Sequence, residues 1–143
     1  MISTSSKYAI KAVLFLAVHS NENKKVRVKT IAEPINVPKA YIAKLLQELS
    51  KQHIISSTRG PKGGFYLSED NLERSIMDII EVIDGEKKFS TCILSLKSCD
   101  HDKPCPLHHS MNPIRKKLLK NLKNKTIKEA SIQISEGDVF LPL

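Results

Sequence analysis

Three cysteines and three of the five histidines fall within the single stretch from Cys92 to His109. The cysteines are spaced as Cys92-x6-Cys99-x5-Cys105. Thiolates are soft ligands for iron-sulfur clusters and for zinc, and an imidazole is able to complete either ligand set. Unrelated buried cysteines would be scattered through the helices, whereas these three share one segment without a long apolar run to bury them. The pattern therefore predicts a metal site.

The spacing of the cysteines favours an iron-sulfur cluster over zinc. Common zinc ribbons carry Cys-x-x-Cys pairs, which this segment does not have. An odd number of cysteines also makes a disulfide framework a poor explanation. Pro106 is expected at the first position of a helix, which would place Cys105 at the positive end of the helix dipole. Such a position lowers the pKa of a thiol and favours the thiolate that binds metal.

The elements that hold this segment begin with a helix at the N-terminus. Ser3 to Ser6 offer N-cap hydroxyls, and apolar residues then recur at helical spacing. This helix is expected to end between Ser20 and Asn23. The segment from Val26 to Val28 is expected to form a short strand.

A helix-turn-helix is the natural interpretation of the next segment. Ile31 and Ala32 supply a short apolar helix face, residues 34–37 a turn, and Pro38 the first turn of a longer helix. The inward stripe of that longer helix comprises Tyr41, Ile42, Leu45, Leu46 and Leu49, and its outer face includes Lys39, Ala40, Ala43 and Lys44. Small and cationic residues are suited to a DNA groove, although a helical hairpin with a solvated face explains this segment equally well.

The residues that follow favour the DNA-binding interpretation. Ile54 to Thr58 and Phe65 to Leu67 are strand-like runs on either side of the sequence RGPKGG. A glycine-bearing hairpin directly after a helix-turn-helix is the layout of a winged helix. Its glycines lack a Cβ and allow the backbone to approach a phosphate, while Arg59 suits the negative potential of a minor groove.

These features yield a set of candidate DNA contacts. The cations among them are expected to set the salt-dependent part of the affinity. Tyr41 fits a core position equally well. The candidates are Thr30, Lys39, Tyr41, Lys44, Arg59, Lys62 and Gly63.

The distribution of charge agrees with a polyanionic partner. The net charge is +8, with 11 basic and 5 acidic side chains in residues 1–70, 5 and 7 in residues 71–112, and 7 and 3 in residues 113–143. Two basic ends therefore flank a slightly acidic cysteine segment, which suits double-stranded DNA. The sequence has no apolar run of membrane-spanning length and no convincing secretion signal, so a cytoplasmic location without membrane contact is expected.

Two further helices are expected on either side of the cysteines. Ser75 and Asp78 fit a capping box before a helix that Gly85 ends, and Thr126 and Glu129 fit another before a short final helix. Between them, a long helix carries a narrow apolar stripe that suggests dimerisation, with packing against its own domain as the alternative. The stripe consists of Met111, Ile114, Leu118 and Leu122.

The order of these features resembles the winged-helix regulators that include the iron-sulfur cluster regulator IscR and the nitric-oxide-sensing repressor NsrR. The resemblance covers roughly residues 1–130 and is carried by SKYAIKAVLFLAVH, TIAEPINVPKAYIAKLLQEL, STRGPKGGFYL and MDIIEVIDG, followed by the three cysteines. It implies a homodimer whose long helices pack across the two-fold axis. Each protomer would meet half of a roughly palindromic operator, with half-sites roughly 34 Å apart. It also implies a [2Fe-2S] or [4Fe-4S] cluster, which the sequence does not distinguish.

The resemblance also bears on the fourth ligand. His108 follows Cys105 by three residues, and IscR uses a histidine at this spacing, so His108 is the expected fourth ligand. His109, His101 or an exogenous group are the alternatives. Some relatives recruit a carboxylate from the first helix, but here no Asp or Glu precedes Glu22.

The expected fold is mainly α with a small β-wing, a winged helix-turn-helix domain followed by a long dimerisation helix. Its expected segments are a DNA-binding domain at 1–85, a cluster-binding loop at 86–110, a dimerisation helix with a short terminal helix at 111–135, and a tail at 136–143. The expected function is a cluster-sensing transcription regulator, a repressor above all, and not an enzyme. The alternatives are a winged-helix regulator with structural zinc or without metal, and an iron-sulfur electron carrier.

Overall fold

A computed structural model describes residues 2–95 and 97–143 of the chain. Met1 and Leu96, which fall within the predicted segments 1–85 and 86–110, lie outside the described residues. The described part is mainly helical with one two-stranded antiparallel sheet, which confirms the predicted fold class. None of its helices is long and apolar enough to cross a membrane. The elements are α1 Thr4–His19, α2 Val28–Ile35, α3 Lys39–Lys51, β1 Ser56–Thr58, β2 Gly64–Tyr66, α4 Glu69–Leu72, α5 Ile76–Asp84, α6 His108–Asn124 and α7 Ile127–Ser135.

Helix α1 is the centre of the core. The hydroxyl of Ser3 accepts a hydrogen bond of 3.0 Å from the Ser6 amide and caps the first turn. The helix ends at the predicted place, where Ser20 donates a 2.6 Å hydrogen bond from its hydroxyl to the Leu16 carbonyl. Since α2, α3, α5 and α7 all pack against α1, its small and aliphatic residues are buried, including Ala9, Ala12, Val13 and Leu16.

Helices α2 and α3 form the helix-turn-helix with boundaries that differ from those expected. The predicted strand at 26–28 is wrong, because Val26 makes one bridge to Phe65 and Val28 already begins α2. The predicted turn at 34–37 starts later, since α2 continues through Pro34 and the chain reverses at Asn36, whose φ is 59°. Asparagine tolerates this left-handed conformation better than most residues. Pro38 is the N-cap of α3 rather than its first helical residue.

Strands β1 and β2 form the wing. Ser56 pairs with Tyr66, Ser57 with Phe65 and Thr58 with Gly64. The first strand is shorter than predicted because Ile54 and Ile55 are buried in the core instead of pairing. After the wing, the short helix α4, which the sequence did not predict, starts at a capping box formed by Ser68 and Asn71.

Helices α5 and α6 border the cysteine segment. The predicted capping box of Ser75 and Asp78 starts α5, and Gly85 ends it with a φ of 88°. The expectation that Pro106 starts the next helix is wrong, because α6 begins at His108. A hydrogen bond of 3.0 Å from the His108 amide to the Cys105 carbonyl closes a separate turn before the helix. Cys105 therefore lies outside the first turn of α6, and the predicted dipole effect on its thiol loses its basis.

The far end of α6 is fixed to the start of α5. The Ile76 amide donates to the Lys125 carbonyl, and the Ile127 amide donates to the Arg74 carbonyl, each at 2.9 Å. Helix α7 follows, capped by the Thr126 hydroxyl, which accepts from the Glu129 amide at 3.0 Å. These backbone bonds hold the C-terminal end of α6 on the core, whereas its N-terminal end adjoins the cysteine segment.

Candidate metal centre and nucleic-acid interface

The four predicted ligands meet as two side-chain pairs. The Sγ atoms of Cys92 and Cys105 lie 3.7 Å apart, and the Sγ atom of Cys99 lies 3.0 Å from Nδ1 of His108. All four residues line one small cavity, together with Met111 and Arg115 of α6 and other neighbours. The set that sequence reasoning selected is thus brought together, although its identity as a ligand set stays a prediction.

The cysteine segment is folded back on itself by backbone hydrogen bonds. The Cys92 amide donates to the Lys97 carbonyl, and the Cys99 amide donates to the Ser90 carbonyl, each at 2.9 Å. Phe89 is buried and anchors the start of this loop on the core. The loop therefore carries Cys92 and Cys99 toward Cys105 and the start of α6.

His108 is held differently from its neighbours. Its side chain is 6% exposed, whereas His101 and His109 are exposed and stack edge-on against it, with ring centroids 4.8 and 5.4 Å away. Burial lowers the pKa of His108, and the charges of the two flanking histidines and of Arg115 and Lys116 lower it further. The neutral imidazole that results is the form that binds metal.

The thiol of Cys92 has an environment that favours its thiolate. A hydrogen bond from the Leu94 amide is the largest cause that lowers the pKa of Cys92, and desolvation opposes it. Contact with the Cys105 thiol, the Ser95 amide and the charge of Arg115 act in the same direction as the Leu94 amide. All three cysteines are half-buried and carry free thiols.

The donor types fit an iron-sulfur cluster, but the arrangement is not that of a single bound ion. Among the described residues, no group of three His, Cys, Asp or Glu side chains is close enough to hold one metal ion. The donors are instead divided into a thiol pair and a thiol-imidazole pair on the same cavity. Three thiolates and one imidazole also form a recognised zinc ligand set, so donor chemistry does not separate the two metals.

The predicted DNA contacts lie on the helix-turn-helix and the wing. Thr30 of α2 and Lys39 and Lys44 of α3 are exposed, as are Arg59 and Lys62 of the wing. Tyr41 differs from them because it is half-buried. Its hydroxyl lies 2.8 Å from the Ser5 hydroxyl, and its ring meets Tyr8 edge-on at 5.9 Å. The structure thus gives Tyr41 a packing role against α1, while the other contacts stay predictions.

The wing tip is a tight turn that requires glycine. The Gly63 amide donates a 2.9 Å hydrogen bond to the Gly60 carbonyl, with Pro61 and Lys62 between them. Gly60 has a φ of 102°, and a Cβ added to Gly63 would lie 2.7 Å from the carbonyl carbon of Arg59. The turn therefore presents Arg59 and Lys62 from a compact backbone.

Comparison with known proteins identifies the family. Residues 2–131 match the family model described as "Rrf2: Iron-dependent Transcriptional regulator". The chain belongs to the Rrf2 family. A putative HTH-type transcriptional regulator of Aquifex aeolicus is 33% identical to this Rrf2 protein over 142 residues, covering 98% of this chain and 96% of the relative. The regulator IscR of Serratia proteamaculans is 27% identical over 128 residues, covering 90% of this chain and 77% of IscR.

A solved structure agrees with the fold of this Rrf2 protein. CymR, the global cysteine regulator of Bacillus subtilis, superposes with a TM-score of 0.74 at 23% identity, covering 92% of this chain and 96% of CymR. The family and its relatives are transcription regulators, which confirms the expectation that the protein is a regulator and not an enzyme.

The structure contains two long-range contacts that the sequence did not predict. The Arg27 guanidinium of the Rrf2 chain donates to the Pro61 carbonyl and ties the start of α2 to the wing tip. Asp84, the last residue of α5, accepts from the Ser3 hydroxyl and, at 3.1 Å, from the Ser3 amide. These partners lie 34 and 81 residues apart, and the sequence holds no local signal that would have joined them.

The predicted dimerisation stripe on α6 is divided in the Rrf2 structure. Leu118 and Leu122 are partly buried and pack against the core, as the alternative of packing on the same domain requires. Ile114 is 57% exposed, and Met111 is half-buried beside it. The apolar surface available to a partner therefore lies at the N-terminal half of α6, next to the cysteine loop.

Proposed function

We propose that the protein is a dimeric, operator-binding repressor whose DNA affinity is set by an iron-sulfur cluster held by Cys92, Cys99, Cys105 and His108. The signal would be nitric oxide, redox state or the supply of clusters. The observation that carries this proposal is the convergence of all four donors on one cavity at the start of α6. The three thiolates supply the soft ligands that both [2Fe-2S] and [4Fe-4S] clusters need, and His108 supplies the fourth ligand as a buried, neutral imidazole.

The cluster would supply iron that reacts with nitric oxide and oxidants. The protein's part is to convert a change at the ligands into movement of α6. His108 is both a proposed ligand and the first residue of that helix. The opposite end of α6 is fixed by the backbone bonds between Lys125 and Ile76 and between Ile127 and Arg74. A change in the ligand geometry would therefore tilt α6 about its C-terminal end.

A second connection runs from the cysteine loop to α3, which we propose is the recognition helix that enters the DNA groove. Asp84 directly precedes Gly85 and the loop, and it binds the N-terminus of α1 through Ser3. Two residues further on, the Ser5 hydroxyl contacts the Tyr41 hydroxyl of α3. Burial raises the pKa of Asp84, but the hydrogen bonds from Ser3, together with Ser6 and the charge of Lys88, outweigh burial and leave the pKa below its usual value. A charged Asp84 thus links the loop to the helix that we propose reads DNA.

The dimer would form through the exposed apolar residues at the start of α6. Ile114 and Leu107 belong to this surface, and the loop adds Ile93 and Leu94, all of which are exposed large hydrophobic residues. Burial of such side chains in a symmetric interface is favourable. Two wings and two recognition helices would then meet the two halves of a roughly palindromic operator in double-stranded DNA.

Anaerobic purification tests the cofactor directly. The wild-type protein is expected to show visible absorbance and to contain iron and sulfide. Replacement of Cys92, Cys99 or Cys105 by Ala is expected to remove the absorbance, and His108→Ala to change it, because each removes a donor. His109→Ala is the matched control, since His109 is an exposed histidine that stacks on His108 and is not one of the four proposed ligands. A colourless protein that contains zinc would overturn the iron-sulfur proposal in favour of structural zinc.

A further inference from the structure

We propose that Cys92 and Cys105 form an intramolecular disulfide when the cluster-free protein meets a hydroperoxide, and that Cys99 stays reduced. The inference rests on the proposed function in that these thiols are two of the proposed ligands. Nothing in the amino-acid spacing selects this pair, because Cys92 and Cys99 are closer in sequence. The selection comes from the way in which the folded loop arranges the side chains.

The two thiols are already in contact. Their Sγ atoms lie 3.7 Å apart, while a disulfide bond is about 2.05 Å long, so the sulfurs must approach by less than 2 Å. Neither residue belongs to a helix or a strand, and both are half-buried, so oxidant reaches them and the backbone is able to adjust. Most of the surrounding loop, from Thr91 to Pro104, is exposed at the positions that the structure describes. Little packing therefore resists closure of the bond.

Cys99 is held apart from this pair by other contacts. Its Sγ atom lies 3.0 Å from Nδ1 of His108, and its amide is bound to the Ser90 carbonyl at 2.9 Å. His108 is in turn buried at the start of α6. Before Cys99 is able to reach either of the other cysteines, its contact with His108 must break. The folded loop thus favours one of the three pairings that three cysteines allow.

The reaction balances with a hydroperoxide as the oxidant. The thiolate of one cysteine attacks the peroxide oxygen, the O–O bond breaks, and a sulfenic acid forms with release of water or an alcohol. The thiolate of the second cysteine then attacks that sulfur, the S–O bond breaks, and hydroxide leaves and takes up a proton to give water. The two thiols lose two electrons in total, and the peroxide gains them.

The disulfide would make loss of the cluster persistent. Two of the four proposed ligands would be covalently joined and unable to bind iron as thiolates. Reloading would then require a dithiol reductant, which returns two electrons to the pair. The protein would respond to an oxidant twice, first by loss of the cluster and then by a delay in its return.

Peptide mapping distinguishes the pairings. The cluster-free, reduced protein is treated with hydrogen peroxide, its remaining thiols are alkylated, and it is digested with trypsin and Asp-N without reduction. Cleavage after Lys88, Lys97 and Arg115 and before Asp100 and Asp102 leaves each cysteine on a separate peptide, because Pro104 blocks trypsin after Lys103. The expected product joins residues 89–97 to residues 102–115, with residues 98–99 alkylated. Joining of 89–97 to 98–99, joining of 98–99 to 102–115, or no cross-link would overturn the inference.

Matched variants and a second readout complete the test. Cys99→Ser is expected to form the same cross-link, whereas Cys92→Ser and Cys105→Ser are expected to lose it.

Peroxide treatment of the wild type is expected to lower subsequent anaerobic incorporation of iron about ten-fold until dithiothreitol is added. Incorporation that peroxide leaves unchanged would contradict the proposed consequence. A cross-linked protein that never binds iron when reduced overturns the cluster and leaves the disulfide, while a cluster-binding protein without the cross-link overturns the disulfide alone.

Discussion

The helices that form the core of residues 1–85 differ sharply in packing from the cysteine segment at 86–110. Residues of α1, α3 and α5 supply side chains with no exposed surface, such as Leu16, Leu46 and Ile79. Among the described residues of 86–110, the buried side chains are those of Phe89 and His108. Each buried aliphatic side chain contributes on the order of 2 kcal/mol, so the first region is held firmly and the second is held by few contacts. A segment held in this way is suited to change its structure when its ligands change.

Replacing one leucine by alanine in each of the two regions tests this comparison with the largest expected effect. Leu46→Ala is expected to lower the free energy of unfolding by about 2–5 kcal/mol, because it leaves a cavity at a side chain with 0% exposure. Leu94→Ala, at a side chain that is 61% exposed, is expected to change it by less than about 0.5 kcal/mol when unfolding is measured at a protein concentration low enough for the monomer, because the dimer contact proposed for Leu94 is then absent. Urea denaturation of both variants measures the difference. Equal losses would mean that the cysteine segment contributes to the same cooperative core.

Asp84→Asn tests the junction between the two regions. Loss of the charge that accepts from Ser3 is expected to lower the free energy of unfolding by about 1 kcal/mol at pH 7, after allowance for partial exposure. The folded-state pKa of Asp84 lies below its usual value, so the charged form stabilises the fold above the unfolded-state pKa of about 3.9. The difference from the wild type is therefore expected to be constant at neutral pH and to shrink as the pH falls below about 4.

The exposed neighbour Glu86 supplies the control for this measurement. Glu86→Gln removes a nearby negative charge without removing a contact to α1, and it is expected to leave the free energy of unfolding unchanged. Denaturation curves across the pH range for both variants decide the outcome. A difference for Asp84→Asn that grows toward low pH would contradict the sign worked out for this carboxylate.

Arg27→Ala probes the exposed wing tip, where the expected effect is smallest. Loss of the hydrogen bond to Pro61 is expected to weaken operator binding about three-fold through a less fixed wing, without a change in the salt dependence. Lys29→Ala is the control, since Lys29 is exposed and pairs with Glu33 on α2. Binding isotherms at several salt concentrations give both quantities. A slope reduced by about one unit would show instead that Arg27 contacts a phosphate.

The parts of the fold with local signals could be predicted from the sequence. The caps at Ser3, Ser75 and Gly85 and the glycine-rich turn of the wing depend on neighbouring residues, and all lie where expected. The start of α6 was misplaced, because Pro106 is compatible with a helix but the chain uses it in a preceding turn. In that case two local conformations compete, and the tertiary environment decides between them.

The composition of the candidate site could be predicted, but its arrangement could not. Cysteine spacing selected Cys92, Cys99 and Cys105, and the resemblance to IscR selected His108. All four residues line one cavity. The division into a Cys92–Cys105 pair and a Cys99–His108 pair depends on how the loop folds back through backbone bonds. Such bonds carry no side-chain signal. The same limit explains why the long-range contacts of Asp84 and Arg27 were missed.

The DNA affinity of the protein with and without its cluster tests the central proposal most directly. A preferred operator is first selected from random duplexes with each form of the anaerobically purified protein, and its dissociation constant is then measured for both forms at one fixed salt concentration. A difference of about ten-fold or more on the selected operator is expected, with little difference on random duplex of the same length. Equal dissociation constants for the two forms on the selected operator would contradict the proposal that the cysteine loop controls DNA binding.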